Sequence, residues 1–372
     1  MNTQDLAELY LLSRSLWWRH ELGLLSDEAV SELIKVLRSA RAGIVAQIEA
    51  EAQGLASISE WTRERNDQIS AWIDDVLAGT SASVTSYISE ASVGVVLASV
   101  ATYNSILSFD GKAKAVKLVE GLTREQVKQF FQDQPLGGKL LSDWVGNAFS
   151  TGARDSILDA IREGVVMGEG YRKLVKRVMA AADAGFSITQ REATTLVRTY
   201  VQSANTGAQE AVYEQNEGII KGYKRVETLD NRTCRICALA DGAVYGKNEK
   251  RPELPAHPNC RGVYVPILKT FREIGLNIDE LEEVARPWTI REQGPIGTGG
   301  RKILNFGTTK ENFGGWWESL SAEDKLKTSV GPVRGRLLQE GLVRWEDLSD
   351  KRTGLPYTLE QLGFDEQGNP LR

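Results

Sequence analysis

Cysteine, histidine and methionine are rare in this sequence, which contains three, two and three of them in 372 residues. Three cysteines cannot form a disulfide framework, so the chain does not belong to the disulfide-rich secreted class. Positive charge is not in excess either, since the formal net charge is -5. That balance argues against a general nucleic-acid coat protein, although local basic patches are compatible with it.

Long hydrophobic runs are also missing. The most apolar run, Val93–Val100, is far shorter than the roughly 20 residues that a membrane-spanning helix needs. Met1–Leu12 carries acidic side chains where a secretory signal would be basic. With 41% hydrophobic and 26% charged residues, the composition is that of an ordinary globular protein. We therefore expect a soluble intracellular protein, long enough for two or three domains, that contacts no membrane while it is in its assembly.

All three cysteines and one of the two histidines lie in a single stretch, Asp230–Pro266. Their order is Cys-x2-Cys, nineteen other residues, and then His-x2-Cys. Zinc prefers four sulfur or imidazole ligands in a tetrahedron, and two short pairs of this kind supply them. The sequence therefore predicts a zinc site formed by Cys234, Cys237, His257 and Cys260. Because four protein ligands leave no position for water, the predicted site is structural.

Two alternatives to this interpretation stay open. In one, the cysteines are reduced structural residues and His257 caps a turn. In the other, the loop belongs to a metal-dependent nuclease or toxin-like enzyme. A nuclease needs a histidine as general base, but His257 is already assigned to the metal and His20 lies in a separate helical segment. Asp230 is a further ligand candidate, although a helix cap or an Asx turn is the commoner role of such a residue.

Helical periodicity dominates the first half of the chain. Apolar residues recur at three- and four-residue spacing, and capping residues separate the segments. The predicted helices are Asp5–Leu12, Leu16–Leu25, Ala29–Gln53, Ser57–Leu77, Ser81–Leu107, Leu140–Met167, Tyr171–Ala184 and Thr189–Asn216. Thr123 and Gln126 have the spacing of a capping box, which predicts a short helix from there to Gln132.

β-forming residues replace the helical pattern after Gly218. The predicted strands are Ile219–Leu229, Ala243–Tyr245 and Gly262–Ile267. Further on we expect a helix over Phe271–Val284, a flexible glycine-rich linker over Gly294–Gly300 and a helix over Val333–Gln339.

Together these patterns predict an α+β protein with three segments. Residues 1–185 form a mainly helical domain for docking. Residues 186–270 form a small α+β module closed by the zinc-type site of three cysteines and one histidine, and residues 271–372 form a linker and a short C-terminal tail. The pairs Trp17-Trp18 and Trp316-Trp317 are each expected to divide between the core and an interface at the surface, because adjacent helical residues cannot both face one core.

The second half of the chain resembles a known family at several motifs. These are Arg198-Thr199 with Asn205–Ala208, then Asp230–Cys237 (Asp-x-Arg-Thr-Cys-x-x-Cys), Asp241-Gly242 with Tyr245, and Pro255–Arg261 (Pro-x-His-Pro-Asn-Cys-Arg). The combination resembles the phage head-morphogenesis proteins of the phage Mu F type, which are minor head proteins. The run Gly331–Arg334, with Leu337 and Gly341, is similar to tails found on these proteins. Gly262 departs from the family pattern, which often has a cysteine there.

The resemblance implies a non-enzymatic virion protein. Such a protein is made in the host cytoplasm, joins the forming capsid inside the head near the portal, and assists DNA packaging or ejection. Its partners would be the portal protein, capsid or scaffolding proteins, and packaged double-stranded DNA bound without sequence specificity. The helical half would supply the docking surface, and the zinc-closed module would contact a partner or DNA.

The stretch Asp230–Pro266 is called the cysteine loop from here on. Its basic residues are the candidates for these contacts: Arg232, Arg235, Arg261, Lys247, Lys250 and Arg251. They either pair with carboxylates such as Asp230 and Asp241, or face phosphates or carboxylates of a partner. The basic run Tyr171–Arg177 has the same two interpretations, and a solvated helix face is the commoner one. Gly294–Lys302 lacks the residue order of a phosphate-binding loop, so we interpret it as part of the linker.

Overall fold

The computed structural model describes residues 3–53, 63–108, 119, 123–126, 141–167, 169, 171–269, 285–291, 303–350, 353 and 355–371. The predicted helix Phe271–Val284, the predicted linker Gly294–Gly300 and the predicted helix end at Gln132 lie outside these residues. The helices of the first half are α1 (Thr3–Gln53), α2 (Arg63–Leu107), α3 (Leu141–Ala148), a π-helical segment (Phe149–Arg154), α4 (Asp155–Val166) and α5 (Tyr171–Gln215).

The second half of the chain alternates short strands and short helices. Its elements are β1 (Ile220–Val226), β2 (Leu229–Asp230), α6 (Arg235–Ala240), β3 (Val244–Gly246), β4 (Val263–Leu268), β5 (Arg286–Arg291), β6 (Ile303–Thr309), α7 (Phe313–Ser319), α8 (Ala322–Leu326), α9 (Pro332–Gln339) and a 3-10 turn (Trp345–Asp347). The helical first half followed by a small sheet-containing module confirms the predicted fold class.

The long helices are fewer and longer than the sequence predicts. Helix α1 continues through the predicted cap at Ser26, which is buried, and α2 continues past the predicted end at Leu77. In α2 the hydroxyls of Thr80, Ser83 and Thr85 donate to carbonyls four residues earlier, at 2.7, 2.9 and 2.9 Å. Hydroxyls satisfied in this way inside a helix do not act as caps. The prediction of separate helices was therefore wrong here.

A second predicted helix boundary, near Gly185, is also absent. The predicted boundary between residues 184 and 189 lies inside α5. The Thr189 hydroxyl lies 3.0 Å from Ala148 O and 3.1 Å from Gly185 O, so it is satisfied without capping a new helix. A Cβ on Gly185 would lie 2.6 Å from Gly152 O. The glycine therefore permits close contact with the π-helical segment, and the prediction that the helix ends here was wrong.

The predicted capping box is present at residues 123–126. Thr123 N donates to Gln126 Oε1 at 3.0 Å, and Gln126 N donates to Thr123 Oγ1 at 3.2 Å. Residues 124–126 are helical. The reciprocal bonds confirm that the sequence signal marks the start of a helix.

The chain divides into two compact units that interleave along the sequence. The helical unit comprises Leu22–Leu97 and Leu122–Ala204, and the mixed unit comprises Met1–Glu21, Ala98–Gly121 and Asn205–Arg372. The core of the helical unit includes Leu33, Ile44, Ile73 and Ile157, each at most 1% exposed. The units do not coincide with divisions after residues 185 and 270, and the assignment of separate roles to three segments stays a prediction.

The described part of the mixed unit contains two three-stranded sheets. In the first, β1 is central and antiparallel to β3 and β4, so Tyr223 lies opposite Tyr245 on one side and Pro266 on the other. These strands confirm those predicted after Gly218. In the second sheet, β5 is central, parallel to β2 and antiparallel to β6. The second sheet was not predicted, although both β5 and β6 carry β-branched and aromatic residues.

Trp316 and Trp317 are both buried, so the expectation that this pair divides between core and surface was wrong. They are 0% and 2% exposed, respectively. Trp316 packs edge-on against Phe313, with ring centroids 4.8 Å apart, and Trp317 packs against Trp345 at 6.1 Å. The short helix α7 is thus covered on two sides. The same apolar cluster contains Leu229, Ala238, Ile290, Leu320 and Val330.

The other tryptophan pair divides as predicted, with Trp17 43% and Trp18 5% exposed. The Trp18 indole donates to Asn205 Oδ1 at 2.9 Å. The same oxygen accepts from Ser99 at 3.1 Å and from Tyr103 at 3.3 Å. Asn205 therefore joins parts of α1, α2 and α5 that all belong to the mixed unit.

One described helix, over Asp67–Leu107, is long and apolar enough to cross a membrane by length and composition alone. Half of its most apolar window is buried within the protein. A core helix of a soluble protein has the same properties, so this helix is weak evidence for a membrane segment.

Candidate metal centre

Cys234 and Cys237 are positioned by the first turn of α6. Cys234 is the N-cap residue, and its Sγ accepts a hydrogen bond from Cys237 N at 3.5 Å. Cys237 lies one turn further on and is 3% exposed. Because the two residues are three positions apart on a helix, both sulfurs lie on the same side of it.

His257 and Cys260 belong to a tight turn on the other side of the cluster. Cys260 N donates to His257 O at 3.1 Å, and Asn259 has φ of 60°, a left-handed conformation that asparagine tolerates. His257 Nδ1 lies 2.8 Å from Pro258 O. Since a carbonyl can only accept, Nδ1 carries a proton and Nε2 is the nitrogen that faces the sulfurs.

Three of the predicted ligands, Cys234, Cys237 and His257, lie close together in the structure. The ligand atoms of Cys234, Cys237 and His257 lie within 4.8 Å of one another, close enough to hold a metal ion. His257 Nε2 is 3.0 Å from Cys234 Sγ and 3.1 Å from Cys237 Sγ. Cys260 reaches the group through Cys237, with the two sulfurs 3.8 Å apart.

One of these distances matches the geometry of a zinc site. Two sulfurs about 2.3 Å from one tetrahedral zinc are ~3.8 Å apart, which is the separation between Cys237 and Cys260. The nitrogen–sulfur distances are shorter than the ~3.5 Å that the same geometry gives. The donor set, three sulfurs and one imidazole, is typical of a structural zinc site. That Cys260 is the fourth ligand stays a prediction.

Hydrogen bonds within the cluster separate the pKa values of its members. Hydrogen bonds with Cys237 and His257 lower the pKa of Cys234 to about 4, and the bond with Cys237 lowers the pKa of Cys260 to about 5. Cys234 and Cys260 raise the pKa of Cys237, and the bond with Cys234 raises the pKa of His257 to about 9. Because metal ligands must be deprotonated, binding a metal would release the protons that the cluster still holds.

A buried ion pair lies directly beside Cys237. Arg225 Nε donates to Glu227 Oε1 at 2.8 Å, and both side chains are 1% exposed. Arg225 Nη2 lies 3.7 Å from Cys237 Sγ. Burial raises the pKa of Glu227 to about 7 although the charge of Arg225 opposes that shift. Arginine and glutamate two residues apart along an extended chain share one face, so this pair was recognisable from the sequence but was not predicted.

A second ion pair holds the loop ahead of the cysteines. Arg261 donates to both carboxylate oxygens of Asp230, each at 2.8 Å. Asp230 Oδ1 also accepts from Arg232 N at 3.1 Å and from the Thr233 hydroxyl at 3.0 Å. This is the Asx-turn geometry expected for Asp230. Arg261 lowers the pKa of the Asp230 carboxyl, against the effect of its burial.

A third carboxylate, that of Asp241, connects the cysteine loop with the C-terminal part of the mixed unit. Its oxygens accept from Glu227 N and Phe313 N, each at 2.7 Å, and from both terminal nitrogens of Arg286. Asp241 is completely buried and Arg286 nearly so. Three segments that are distant in sequence therefore meet at one buried carboxylate. The role of Arg286 was missed because the sheet that carries it was not predicted.

Several of the predicted contact residues pair with other groups of the same chain. Lys247 pairs with Glu217 at 3.0 Å. Arg251 pairs with Glu210 and lies 3.7 Å above the Tyr223 ring. Arg235 donates to Ser329 O at 3.3 Å, and Lys250 is exposed. That these residues contact DNA or a partner stays a prediction.

The basic run on α5 is also tied to carboxylates. Arg177 donates to Glu169 and, at 2.8 Å, to Glu163, and Lys173 lies 3.1 Å from Glu169. Glu169 is 2% exposed at its side chain. These pairs favour the interpretation of this run as a solvated, ion-paired helix face.

The geometry defines a class of protein: a helical chain that carries a small α+β module closed around a cluster of cysteines and one histidine. Residues 155–265 match the model of a family described as Phage Mu protein F like protein. The match confirms the resemblance and extends it towards the N-terminus, through α4 and α5. It supports a phage head-morphogenesis protein and an association with the virion. No curated protein and no solved structure matches the chain.

Proposed function

We propose that this chain is a non-enzymatic minor head protein that joins the forming capsid through the portal and assists DNA packaging or ejection. The family match over residues 155–265 carries the proposal. That segment contains the whole cysteine and histidine cluster, so the feature with the clearest chemistry lies within the matched family region.

The metal centre in this proposal is a structural zinc site with four protein ligands. Cys234, Cys237 and His257 have the required proximity, and Cys260 supplies the fourth donor. Zinc would join α6 to the turn at residues 257–260 and leave no open position for water or substrate. His257 would be used as a ligand, which leaves the module without a free histidine to act as a base.

The test of this function is incorporation into procapsids. The chain would be co-expressed with the major capsid, scaffolding and portal proteins of the same phage, and the purified procapsids analysed by quantitative mass spectrometry. We expect the chain in procapsids that contain portal, and its absence when the portal gene is omitted. Incorporation without portal would contradict the proposed docking partner, and absence from all particles would contradict the head-protein proposal itself.

A further inference from the structure

The arginine beside the metal centre occupies an unusual position. Arg225 is 1% exposed, and its ion-pair partner Glu227 is equally buried. Its Nη2 lies 3.7 Å from Cys237 Sγ, within hydrogen-bonding distance of a sulfur. Cys237 is also the cysteine that contacts both His257 and Cys260. A single guanidinium is therefore aimed at the central sulfur of the cluster.

The charges around the site explain why a cation is needed there. A divalent metal with three thiolates and a neutral imidazole has a net charge of minus one, and a buried uncompensated charge is strongly unfavourable. Three ion pairs lie in this part of the mixed unit: Arg225 with Glu227, Arg261 with Asp230, and Arg286 with Asp241. Of these arginines, Arg225 is the one whose guanidinium lies within hydrogen-bonding distance of a predicted ligand sulfur.

Gly262 gives an independent indication that the Arg225–Glu227 pair is built into the site. A Cβ at this position would overlap the Glu227 carboxylate, lying 2.8 Å from its Cδ and 2.9 Å from Oε2. Gly262 follows Cys260 by two residues. The absence of a side chain at residue 262 thus creates the space that Glu227 fills, beside the chain that bears a predicted ligand.

We propose that Arg225 is a positioning residue for the metal centre. Its guanidinium donates to the Cys237 thiolate and compensates the negative charge of the filled site, while Glu227, accommodated by Gly262, fixes the guanidinium in place. Partners of this kind orient the ligands and set metal affinity, and removing one lowers the affinity about 10- to 100-fold. The inference rests on the metal centre of the proposed function.

Metal titrations of the full chain test the inference. Apo protein would be titrated with Co²⁺, whose thiolate charge-transfer absorption reports sulfur coordination, and Zn²⁺ affinity would be measured by competition with a chromophoric chelator. We expect Arg225→Lys to lower Zn²⁺ affinity about 10- to 100-fold and to change the charge-transfer band. Gly262→Ala retains both charges but displaces Glu227, so we expect a decrease in the same direction.

The matched control is Arg177→Lys. Arg177 also holds a buried carboxylate, Glu169, but in the helical unit, so this variant should bind metal like the wild type. Circular dichroism before each titration identifies variants that do not fold, and Gly262→Ala decides the question if Arg225→Lys is one of them. Wild-type affinity and spectrum in folded variants would overturn the role of Arg225. Failure of the wild-type chain to bind either metal would instead contradict the proposed zinc centre.

Discussion

Among the described residues, the ion pairs of the helical unit lie mostly at its surface, whereas two pairs of the mixed unit, Arg225–Glu227 and Arg286–Asp241, are buried. In the helical unit, Arg154 and Asp74 are 38% and 43% exposed at their side chains. In the mixed unit, Arg225 and Glu227 are each 1% exposed. Exposed pairs contribute ~0–1 kcal/mol, but loss of one partner from a buried pair costs ~3–5 kcal/mol.

The difference in ion-pair burial follows from the kind of side chain that forms the interior of each region. Long helices with apolar stripes supply the helical unit with a core of aliphatic side chains, and its charges can stay in water. The cysteine loop contains short strands and a single short helix, α6. Its segments are held by directional contacts to buried carboxylates and, in our proposal, by a metal ion. We therefore expect single substitutions in this region to cause large decreases in the free energy of unfolding.

The largest effect should come from removing a metal ligand. We expect His257→Ala to abolish zinc binding and to destabilise the cysteine loop by several kcal/mol, since structural zinc sites in isolated peptides bind with ~10–16 kcal/mol. Elemental analysis of the purified chain measures the metal. Limited proteolysis with mass spectrometry locates the destabilised segment, which we expect within residues 220–268.

His20→Ala is the matched control, because His20 is the second of the two histidines in the chain and lies exposed on α1. It should retain full metal content and the wild-type cleavage pattern. If His257→Ala keeps one equivalent of zinc, His257 is not a ligand. The cysteine loop would then differ from the helical unit only in the burial of its ion pairs.

The next largest effect should come from Asp241→Asn. This change leaves Arg286 buried without its carboxylate, and we expect a decrease of ~3–5 kcal/mol in the free energy of unfolding of the mixed unit. Urea denaturation followed by tryptophan fluorescence is a suitable measurement, because Trp316 and Trp317 lie in that unit. Asp347→Asn serves as the control, since its partner Arg344 is 71% exposed and its loss should cost ~1 kcal/mol or less.

The cysteine loop was the part of the molecule most accessible from sequence, because metal ligands have fixed types and short spacings. Strands β1, β3 and β4 were also predicted, from alternating β-forming residues. The ends of the long helices were not. Ser26 and Thr189 have the residue types of caps, and only the tertiary structure shows that both lie inside continuous helices.

The long-range members of the polar network around the metal centre were also beyond prediction from sequence. Arg286 reaches Asp241 from a strand forty-five residues further along the chain, and no local pattern encodes such a partner. Trp317 is buried because Trp345 covers it, which is again a contact between distant segments. Short-range chemistry could therefore be predicted, and long-range burial could not.

A smaller effect, of ~1–3 kcal/mol, is expected for Gly185→Ala in the helical unit. The added Cβ would lie 2.6 Å from Gly152 O, so the π-helical segment must move away from α5. Gly43→Ala is the control, since nothing lies within 4 Å of a Cβ at that position of α1. Alanine there should stabilise the protein by ~0.4–1 kcal/mol. Equal effects of the two changes would show that Gly185 is not at a close helix contact.

The smallest effect should come from Asp74→Asn, which removes the partner of Arg154 at the surface of the helical unit. We expect a loss of ~0.2–1 kcal/mol at low ionic strength, because both side chains are more than one-third exposed and water replaces the lost contact. The loss should shrink further in 1 M salt, where the Debye length is ~3 Å. Urea denaturation at both salt concentrations measures it, with Asp159→Asn, at another exposed pair, as the control. A loss above ~3 kcal/mol that salt does not reduce would show that charge in the helical unit acts as it does around the cysteine loop, and the contrast between the two regions would fail.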